Sequence, residues 1–176
     1  MIPIPIPRLK AKQVSAGSFY SIIIDLDGHL WSFGSNKYGQ LGLGDSEDKW
    51  IPTPIPEFKA HKVSSRHHHT VVIDQVKNIW SCVYNYNGEL GLDDTINRYR
   101  LTLITGLKAQ DISTRLDNTF IIDTDYNIWG FGSNKYGRLG LSDEDLNYLK
   151  PTQLPNFKSI KVAAGSYHTL MIGTSV

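Results

Sequence analysis

Short apolar runs recur along the chain at a constant interval. They lie at residues 22–24, 71–73 and 120–122. Each run is β-branched or aromatic and ends at an aspartate, which is typical of a strand that enters a turn. A tryptophan follows each run after the polar turn, and Trp31, Trp80 and Trp129 lie 49 residues apart. Units of this length bury their apolar faces against their neighbours. Short strands with glycine-rich corners, four to a unit, predict an all-β fold of β-propeller blades.

The repeat predicts a single domain, 1–176, with three full units and part of a fourth. We place the units at about 8–56, 57–105, 106–155 and 156–176. The proline-rich segment 3–7 fills the slot of an outer strand, so we expect three four-strand units plus three further strands. Residues 107–120 alone show helical spacing, but their alignment with the other units predicts strand, turn, strand. In the turns before the tryptophans, the residues expected to be left-handed are Gly28, Asn78 and Asn127.

A second constant stretch follows each tryptophan. It reads Gly34-Ser-Asn-Lys-Tyr-Gly39 in the first unit and Gly132-Ser-Asn-Lys-Tyr-Gly137 in the third. A phosphate-binding loop would end in Gly-Lys-Ser/Thr, whereas these stretches continue as Gly-Gln-Leu and Gly-Arg-Leu. We therefore predict structural corners, in which the glycines and three asparagines set the turn geometry. The asparagines are Asn36, Asn85 and Asn134.

The complete unit resembles the regulator of chromosome condensation (RCC1) repeat. It combines Gly-x-x-His/Tyr-Ser/Thr, an apolar run, Asp-Gly, Trp and Gly-Ser-Asn-x-Tyr-Gly-Gln-Leu-Gly, and it covers nearly the whole chain. Some positions depart from it: Arg66 and Arg115 replace Gly17 and Gly165, and Val83 replaces Gly34 and Gly132. The resemblance implies a propeller of about seven blades, of which this chain would supply roughly half. Three arrangements then remain open: an open arc, a ring completed by a second chain as a homodimer, or the truncated remnant of a longer ancestor.

Composition narrows the classes of partner. The formal net charge is +1 and the basic residues are scattered, so we expect neither nucleic acid nor a membrane as partner. No apolar run approaches the ~18 residues of a membrane span. The single cysteine, Cys82, excludes an intrachain disulfide. It replaces Phe33 and Phe131 on a core strand, so we expect it to act as a small buried hydrophobe. We expect an intracellular protein, in the cytoplasm or the nucleus.

A histidine cluster is the most conspicuous candidate for a metal site. It consists of His67, His68 and His69, with His61 nearby. Zinc needs three or four converging ligands, but in an extended segment only His67 and His69 share a face. The RCC1 resemblance implies that His69 packs between blades. The acidic stretches 45–48 and 143–145 lack the spacing of a calcium loop. We predict no metal, no cofactor and no catalytic residue.

The function predicted is a non-enzymatic scaffold for protein–protein interaction. Variable loops on a constant frame are where such folds bind, and the loops that differ most are 46–51, 93–100 and 142–149. The candidate partner-binding residues there are Trp50, Arg98, Tyr99, Arg100 and Tyr148. The resemblance implies an alternative, guanine-nucleotide exchange on a Ran-like small GTPase. In the family that activity depends on a protruding hairpin, for which the 49-residue spacing leaves no room. A second alternative is a truncated remnant without a specific role.

Overall fold

Twelve β-strands and one short 3₁₀ turn make up the described part of the chain. The structure, a computed structural model, describes residues 5–7, 9–142, 146–165 and 168–173. The strands are β1 (Ala11–Ala16), β2 (Tyr20–Asp25), β3 (His29–Gly34), β4 (Lys49–Arg66), β5 (His69–Asp74), β6 (Ile79–Val83), β7 (Arg98–Ile104), β8 (Ala109–Arg115), β9 (Asn118–Asp123), β10 (Asn127–Ser133), β11 (Asn147–Ala164) and β12 (Thr169–Gly173). The described residues contain no helix that could span a bilayer.

All strand pairs are antiparallel, and they form a seven-stranded and a five-stranded sheet. The seven-stranded sheet runs β1 to β7 in chain order, and the five-stranded sheet has the order β12-β11-β10-β9-β8. The long strand β4 pairs with β3 through residues 49–59 and with β5 through residues 60–66. It is therefore the outer strand of blade 1 and the inner strand of blade 2. Residues 147–158 and 159–164 of β11 join blades 3 and 4 in the same way.

The blades follow from this pairing. Blade 1 holds β1, β2, β3 and residues 49–59; blade 2 holds residues 60–66, β5, β6 and β7; blade 3 holds β8, β9, β10 and residues 147–158; blade 4, as described, holds residues 159–164 and β12. Between β7 and β8 the connection is a turn with Gly106 at φ 84°, so blades 2 and 3 share no strand. Prolines occupy alternate positions 52, 54 and 56 of the outer part of β4, where a strand edge tolerates a missing N–H.

Each core cluster joins two consecutive blades. The first packs Ile22, Ile24, Leu30 and Leu41 of blade 1 against Val63 and Val72 of blade 2. The second joins Val71, Ile73 and Ile79 to Ile112 and Ile121, and the third joins Phe120, Ile122 and Ile128 to Val162. The first and third residues of each run therefore face the next blade along the chain, while the middle residues Val72 and Ile121 face the preceding blade. Each interior sheet is thus buried on both faces by its neighbours.

The aspartate at the end of each run builds the turn before the tryptophan. In blade 2, Asp74 Oδ1 accepts the N–H groups of Val76 and Asn78, both at 2.9 Å. Its Oδ2 accepts the Asn78 side-chain N–H at 2.8 Å and the Trp80 indole N–H at 3.0 Å. Burial opposes ionisation of Asp74, but these donors outweigh it and hold its pKa below the usual value. Asp25 and Asp123 make the same contacts with Trp31 and Trp129. The repeated Asp and Trp are thus one hydrogen-bonded unit.

The structure agrees with the predicted strands in one segment and differs from the prediction in the turns and at the N-terminal segment. Residues 107–120 form strand, turn, strand, as the repeat alignment predicts. The left-handed residue is Gly28 as expected, but in the other two turns it is Lys77 (φ 69°) and Tyr126 (φ 68°), so the prediction for Asn78 and Asn127 was wrong. The aspartate accepts the N–H groups two and four residues later, which places the positive φ between them whatever residue stands there. Of the predicted outer strand 3–7, residues 5–7 form no strand, and residues 3 and 4 lie outside the described part.

Candidate functional site: the upper face of the blades

One end of every blade carries the loops that vary between repeats, and we call this end the upper face. It contains the turns 17–19, 67–68 and 116–117 and the loops that follow β3, β6 and β10. Hydrogen bonds tie the two sets together: Ser35 N–H donates to the Phe19 carbonyl at 2.8 Å, and Ser133 N–H donates to the Asp117 carbonyl at 2.8 Å. The turns also link across blades, since Ser18 N–H donates to the His67 carbonyl at 3.0 Å.

A buried asparagine organises each upper loop. Asn36 Oδ1 accepts the Leu41 N–H at 2.9 Å, and its Nδ2 donates to the Asp45 carbonyl at 3.0 Å. Asn85 makes the same contacts with Leu90 and Asp94, and Asn134 accepts from Leu139 and donates to Leu141. The prediction that these asparagines set the turn geometry is confirmed. In the first acidic stretch, 45–48, Asp48 accepts the Asn36 N–H at 2.7 Å. The second, 143–145, lies outside the described residues.

Three of the predicted binding residues occupy the same position in successive repeats. Trp50, Tyr99 and Tyr148 each stand near the start of the outer strand of a blade. Tyr99 lies against blade 1: its ring fills the space that a Cβ at Gly39 would need, and its carbonyl accepts the Gly44 N–H at 2.8 Å. Tyr148 packs in the second and third core clusters, and its carbonyl lies beside Gly88. Trp50 is 76% exposed, because no described blade precedes the first.

The two arginines hold loops in place. Arg98 pairs with Asp94 and donates to the Ile96 carbonyl, both in its own loop. The guanidinium of Arg100 lies against Gly44 of the preceding blade. The five predicted residues therefore do not form one patch. They lie on three successive blades: Tyr99, Arg100 and Tyr148 contact loops of the preceding blade, and Arg98 contacts its own loop.

A cluster of aromatic rings on the upper face was not predicted from the sequence. His68 lies with its ring centroid 5.5 Å from that of Tyr38 and 6.2 Å from that of Tyr84, and Tyr84 stacks near Tyr86 at 6.3 Å. Tyr86 is 72% exposed and nearby Phe19 is 71% exposed. A signal was present, since Tyr84 and Tyr86 replace the Ser and Lys found in the other two repeats at positions 35, 37, 133 and 135. We call Tyr38, His68, Tyr84 and Tyr86 the aromatic cluster.

A groove opens beside this cluster. It has a volume of about 550 Å³, and Phe19, Tyr38, Trp50 and His68 line it. Burial, reinforced by the neighbouring His67, lowers the pKa of His68, and Asp117 opposes this only in part. At neutral pH the imidazole of His68 is therefore uncharged and offers the groove an aromatic surface.

The histidine next to it in sequence has a packing role, as the repeat resemblance implied. His69 is buried, and its Nε2 lies 3.1 Å from Thr119 Oγ1 in the next blade. Burial lowers its pKa to about 3. His67 and His68 instead lie at the upper turn, where the His67 ring is half exposed and its Nδ1 is 4.0 Å from Asp117. Cys82 is buried as expected, and burial raises its pKa to about 12.

Among the described residues, one group of three side chains brings possible metal ligands within 4.8 Å of one another. It consists of Asp25, Asp27 and His29, at the opposite end of blade 1. Both oxygens of Asp25 already accept hydrogen bonds, from the N–H groups of Asp27 and His29 and from the Trp31 indole. The group is the blade 1 copy of the aspartate turn, so it provides no separate reason to expect a metal.

Comparison with known proteins agrees with the geometry. The sequence profile of the "Regulator of chromosome condensation (RCC1) repeat" matches residues 27–73 and 127–172, and a second RCC1 profile matches residues 11–40. The chain belongs to the RCC1 repeat family. Its similarity to curated proteins is local. The ultraviolet-B receptor UVR8 of Arabidopsis thaliana is 38% identical over 52 residues, which are 28% of this chain and 12% of that protein. The probable E3 ubiquitin-protein ligase HERC4 of Homo sapiens is 44% identical over 39 residues, 22% of this chain and 4% of HERC4.

Solved structures share the RCC1-type fold over nearly the whole chain. Human WBSCR16 matches with a TM-score of 0.83 at 19% identity, covering 97% of this chain and 47% of WBSCR16. Prp20p of Saccharomyces cerevisiae matches with a TM-score of 0.81 at 17% identity, covering 94% of this chain and 44% of Prp20p. The chain thus spans about half the length of these structures and a small part of the curated relatives. Its sheets form a partial propeller, as the repeat predicts.

Proposed function

We propose that the chain is a non-enzymatic scaffold that binds a protein partner through the aromatic cluster of its upper face. The observation that carries this proposal is that Tyr84 and Tyr86 break the repeat with aromatic residues, and that Tyr86 is exposed. A repeat frame needs no tyrosine at these positions, since blades 1 and 3 fold with Ser and Lys there. Tyrosine and tryptophan are enriched in protein interfaces, because they offer a large contact area at a low cost in conformational entropy.

The groove supports the same proposal. Phe19, Tyr38 and Trp50 give it apolar walls, and its volume suits one or two side chains of a partner. We expect the partner to insert an apolar side chain there and to pack a loop along Tyr86. The groups with the most strongly shifted pKa values do not line the groove, since all of them are buried: Tyr20, His69, Cys82 and Glu89.

Affinity capture from the native cell with matched variants tests this proposal. The test variant is Tyr38→Ala/Tyr86→Ala, and the control is Tyr126→Ala, which removes an exposed ring at the opposite end of blade 3. We expect at least one protein to be captured by the wild type and the control but not by the test variant. With purified components, the affinity of this captured protein for Tyr38→Ala/Tyr86→Ala should be at least tenfold lower than for the wild type, as the loss of interface aromatic residues predicts. Equal capture by all three forms would contradict the proposal.

Nucleotide exchange on a Ran-like GTPase is the second candidate function. It is suggested by the fold likeness to Prp20p, a protein described with its binding to Gsp1p and histones. Release of a fluorescent guanine nucleotide from a Ran-like GTPase, with and without the chain, tests it directly. If the chain accelerates nucleotide release and Tyr38→Ala/Tyr86→Ala abolishes that acceleration, exchange would be favoured over the scaffold role. No acceleration removes this candidate and leaves the scaffold proposal intact.

A further inference from the structure

The two ends of the arc expose apolar positions that are buried elsewhere in the molecule. Val14 on β1 is 68% exposed, whereas the equivalent residues of the later blades are 5% exposed or less: Val63, Ile112 and Val162. At the other end, Leu170 and Ile172 on β12 are 66% and 55% exposed. Their equivalents are at most 1% exposed: Ile22 and Ile24, Val71 and Ile73, and Phe120 and Ile122. Exposed apolar faces of this kind mark interfaces.

These two exposed faces are the two sides of one interface that the chain already uses three times. In the first core cluster Ile22 and Ile24 pack against Val63, and in the third Phe120 and Ile122 pack against Val162. Leu170 and Ile172 repeat the first side of this contact, and Val14 repeats the second. Each end of the described arc therefore carries the surface that fits the other end.

The curvature of the arc suits closure by a second copy. The chain follows the fold of WBSCR16 and Prp20p with TM-scores of 0.83 and 0.81 while covering 47% and 44% of their lengths. Two copies related by a two-fold axis would therefore supply nearly the full set of blades. We propose that two copies of this chain join head to tail, the first blade of each against the fourth blade of the other, in a two-chain ring. A closed ring of this kind has cyclic symmetry and leaves no further binding surface at its ends.

A hydrogen bond between two interior blades predicts an equivalent hydrogen bond between the two copies. His69 of blade 2 lies 3.1 Å from Thr119 Oγ1 of blade 3. The equivalent positions at the two ends are His168 and Ser21, so we expect His168 of one copy to bond Ser21 of the second copy. Blade 4, as described, offers no equivalent of Leu30 and Leu41. The interface is therefore smaller than an interior one, and we expect a dissociation constant in the micromolar range, roughly 1–100 µM.

Sedimentation equilibrium of the 176-residue chain tests the ring, over a concentration series that extends well above the expected dissociation constant. The variants are Val14→Asp and Leu170→Asp, one at each end. The control is Val76→Asp, in a turn of blade 2, where the side chain is 66% exposed and belongs to neither end. All three positions are exposed in the single chain, so each variant should keep the wild-type circular dichroism spectrum and urea midpoint.

The expected result is a wild-type mass that rises to twice 19.8 kDa and stops there. Val76→Asp should behave like the wild type, and each end variant should weaken the association at least tenfold. A wild type that stays monomeric throughout, or a mass that grows beyond the dimer, would overturn the proposal. So would a dimer that Leu170→Asp leaves intact, because the contact would then join two Val14 faces rather than opposite ends.

Discussion

Glu89 offers the sharpest test of how the upper loops are built. Its side chain is buried, its Oε2 accepts the Asn87 N–H at 2.6 Å, and within the described part of the chain its Oε1 has no partner. The equivalent residue of the first repeat is Gln40, also buried, whose Oε1 accepts the Tyr38 N–H at 2.8 Å. Glu89→Gln therefore replaces a carboxyl by the amide that the same loop already holds in blade 1.

The magnitude follows from the pKa of Glu89, which burial, helped by the nearby Asp117, raises from 4.5 to about 7. Below pH 4.5 the Glu89 carboxyl is protonated in both the folded and the unfolded chain, so its ionisation does not reduce the free energy of unfolding. As the pH rises toward 7 the unfolded chain ionises first, and the folded state loses about 1.4 kcal/mol for each pH unit. We expect Glu89→Gln to unfold with a free energy about 3 kcal/mol higher than the wild type near pH 8, and the difference to vanish near pH 4.5.

Urea unfolding followed by tryptophan fluorescence at several pH values measures this difference. Gln40→Glu is the reciprocal control, and it should lose stability near pH 8 but not near pH 4.5. The reasoning is refuted if Glu89→Gln gains nothing near pH 8. A gain of equal size at every pH would also refute it, since packing rather than ionisation would then account for the change.

Three further substitutions probe the repeat elsewhere. His69 binds no proton when folded until the pH nears 3, while the unfolded chain binds one below 6.5. The wild type should therefore lose about 2 kcal/mol more than His69→Asn between pH 7 and pH 5, as urea unfolding would record. Asp123→Ala leaves the indole and amide donors of its turn unpaired. It should lower the free energy of unfolding by about 3 kcal/mol, seen as a lower thermal midpoint, whereas Asp125→Ala at an exposed position should lower it by less than about 0.5 kcal/mol. Gly132→Ala should lower the free energy of unfolding in urea by more than about 2 kcal/mol, because its φ is 93° and the Asp117 carbonyl fills the space that a Cβ would need. Gly106→Ala, where a Cβ would meet open space, should lower it by about 1 kcal/mol.

The repeat predicted the fold well because one hydrogen-bonded unit is present three times. Each aspartate and its tryptophan form a closed turn, so their regular spacing reports a real structural period. The same regularity outweighed the helical spacing in residues 107–120. What the pattern could not indicate was which residue takes the positive φ, since that depends on the two N–H groups that the aspartate accepts rather than on residue type.

The aromatic cluster could not be predicted in the same way, for a related reason. The loops that differ most between repeats, where binding residues were predicted, also contact neighbouring blades through residues such as Tyr99 and Arg100. The aromatic cluster instead arises from single replacements inside a loop of constant length. In a repeat protein, a residue that changes while its surroundings stay the same is free of the packing that fixes the frame, as Tyr86 is.

The prolines of the outer rim bear on how the folded chain avoids unwanted assembly. In β4 the nitrogens of residues 52, 54 and 56 lie on one side of the strand, because successive residues alternate sides. Pairing with β3 uses the other side, so an approaching chain finds no N–H donors along this rim and cannot extend the sheet. β7, the outer strand of blade 2, has no proline, and beyond the isolated bridge between Leu43 and Arg100 its backbone donors are not blocked in this way. Strand addition, and with it amyloid-like stacking at high concentration, should therefore begin at the rim of blade 2.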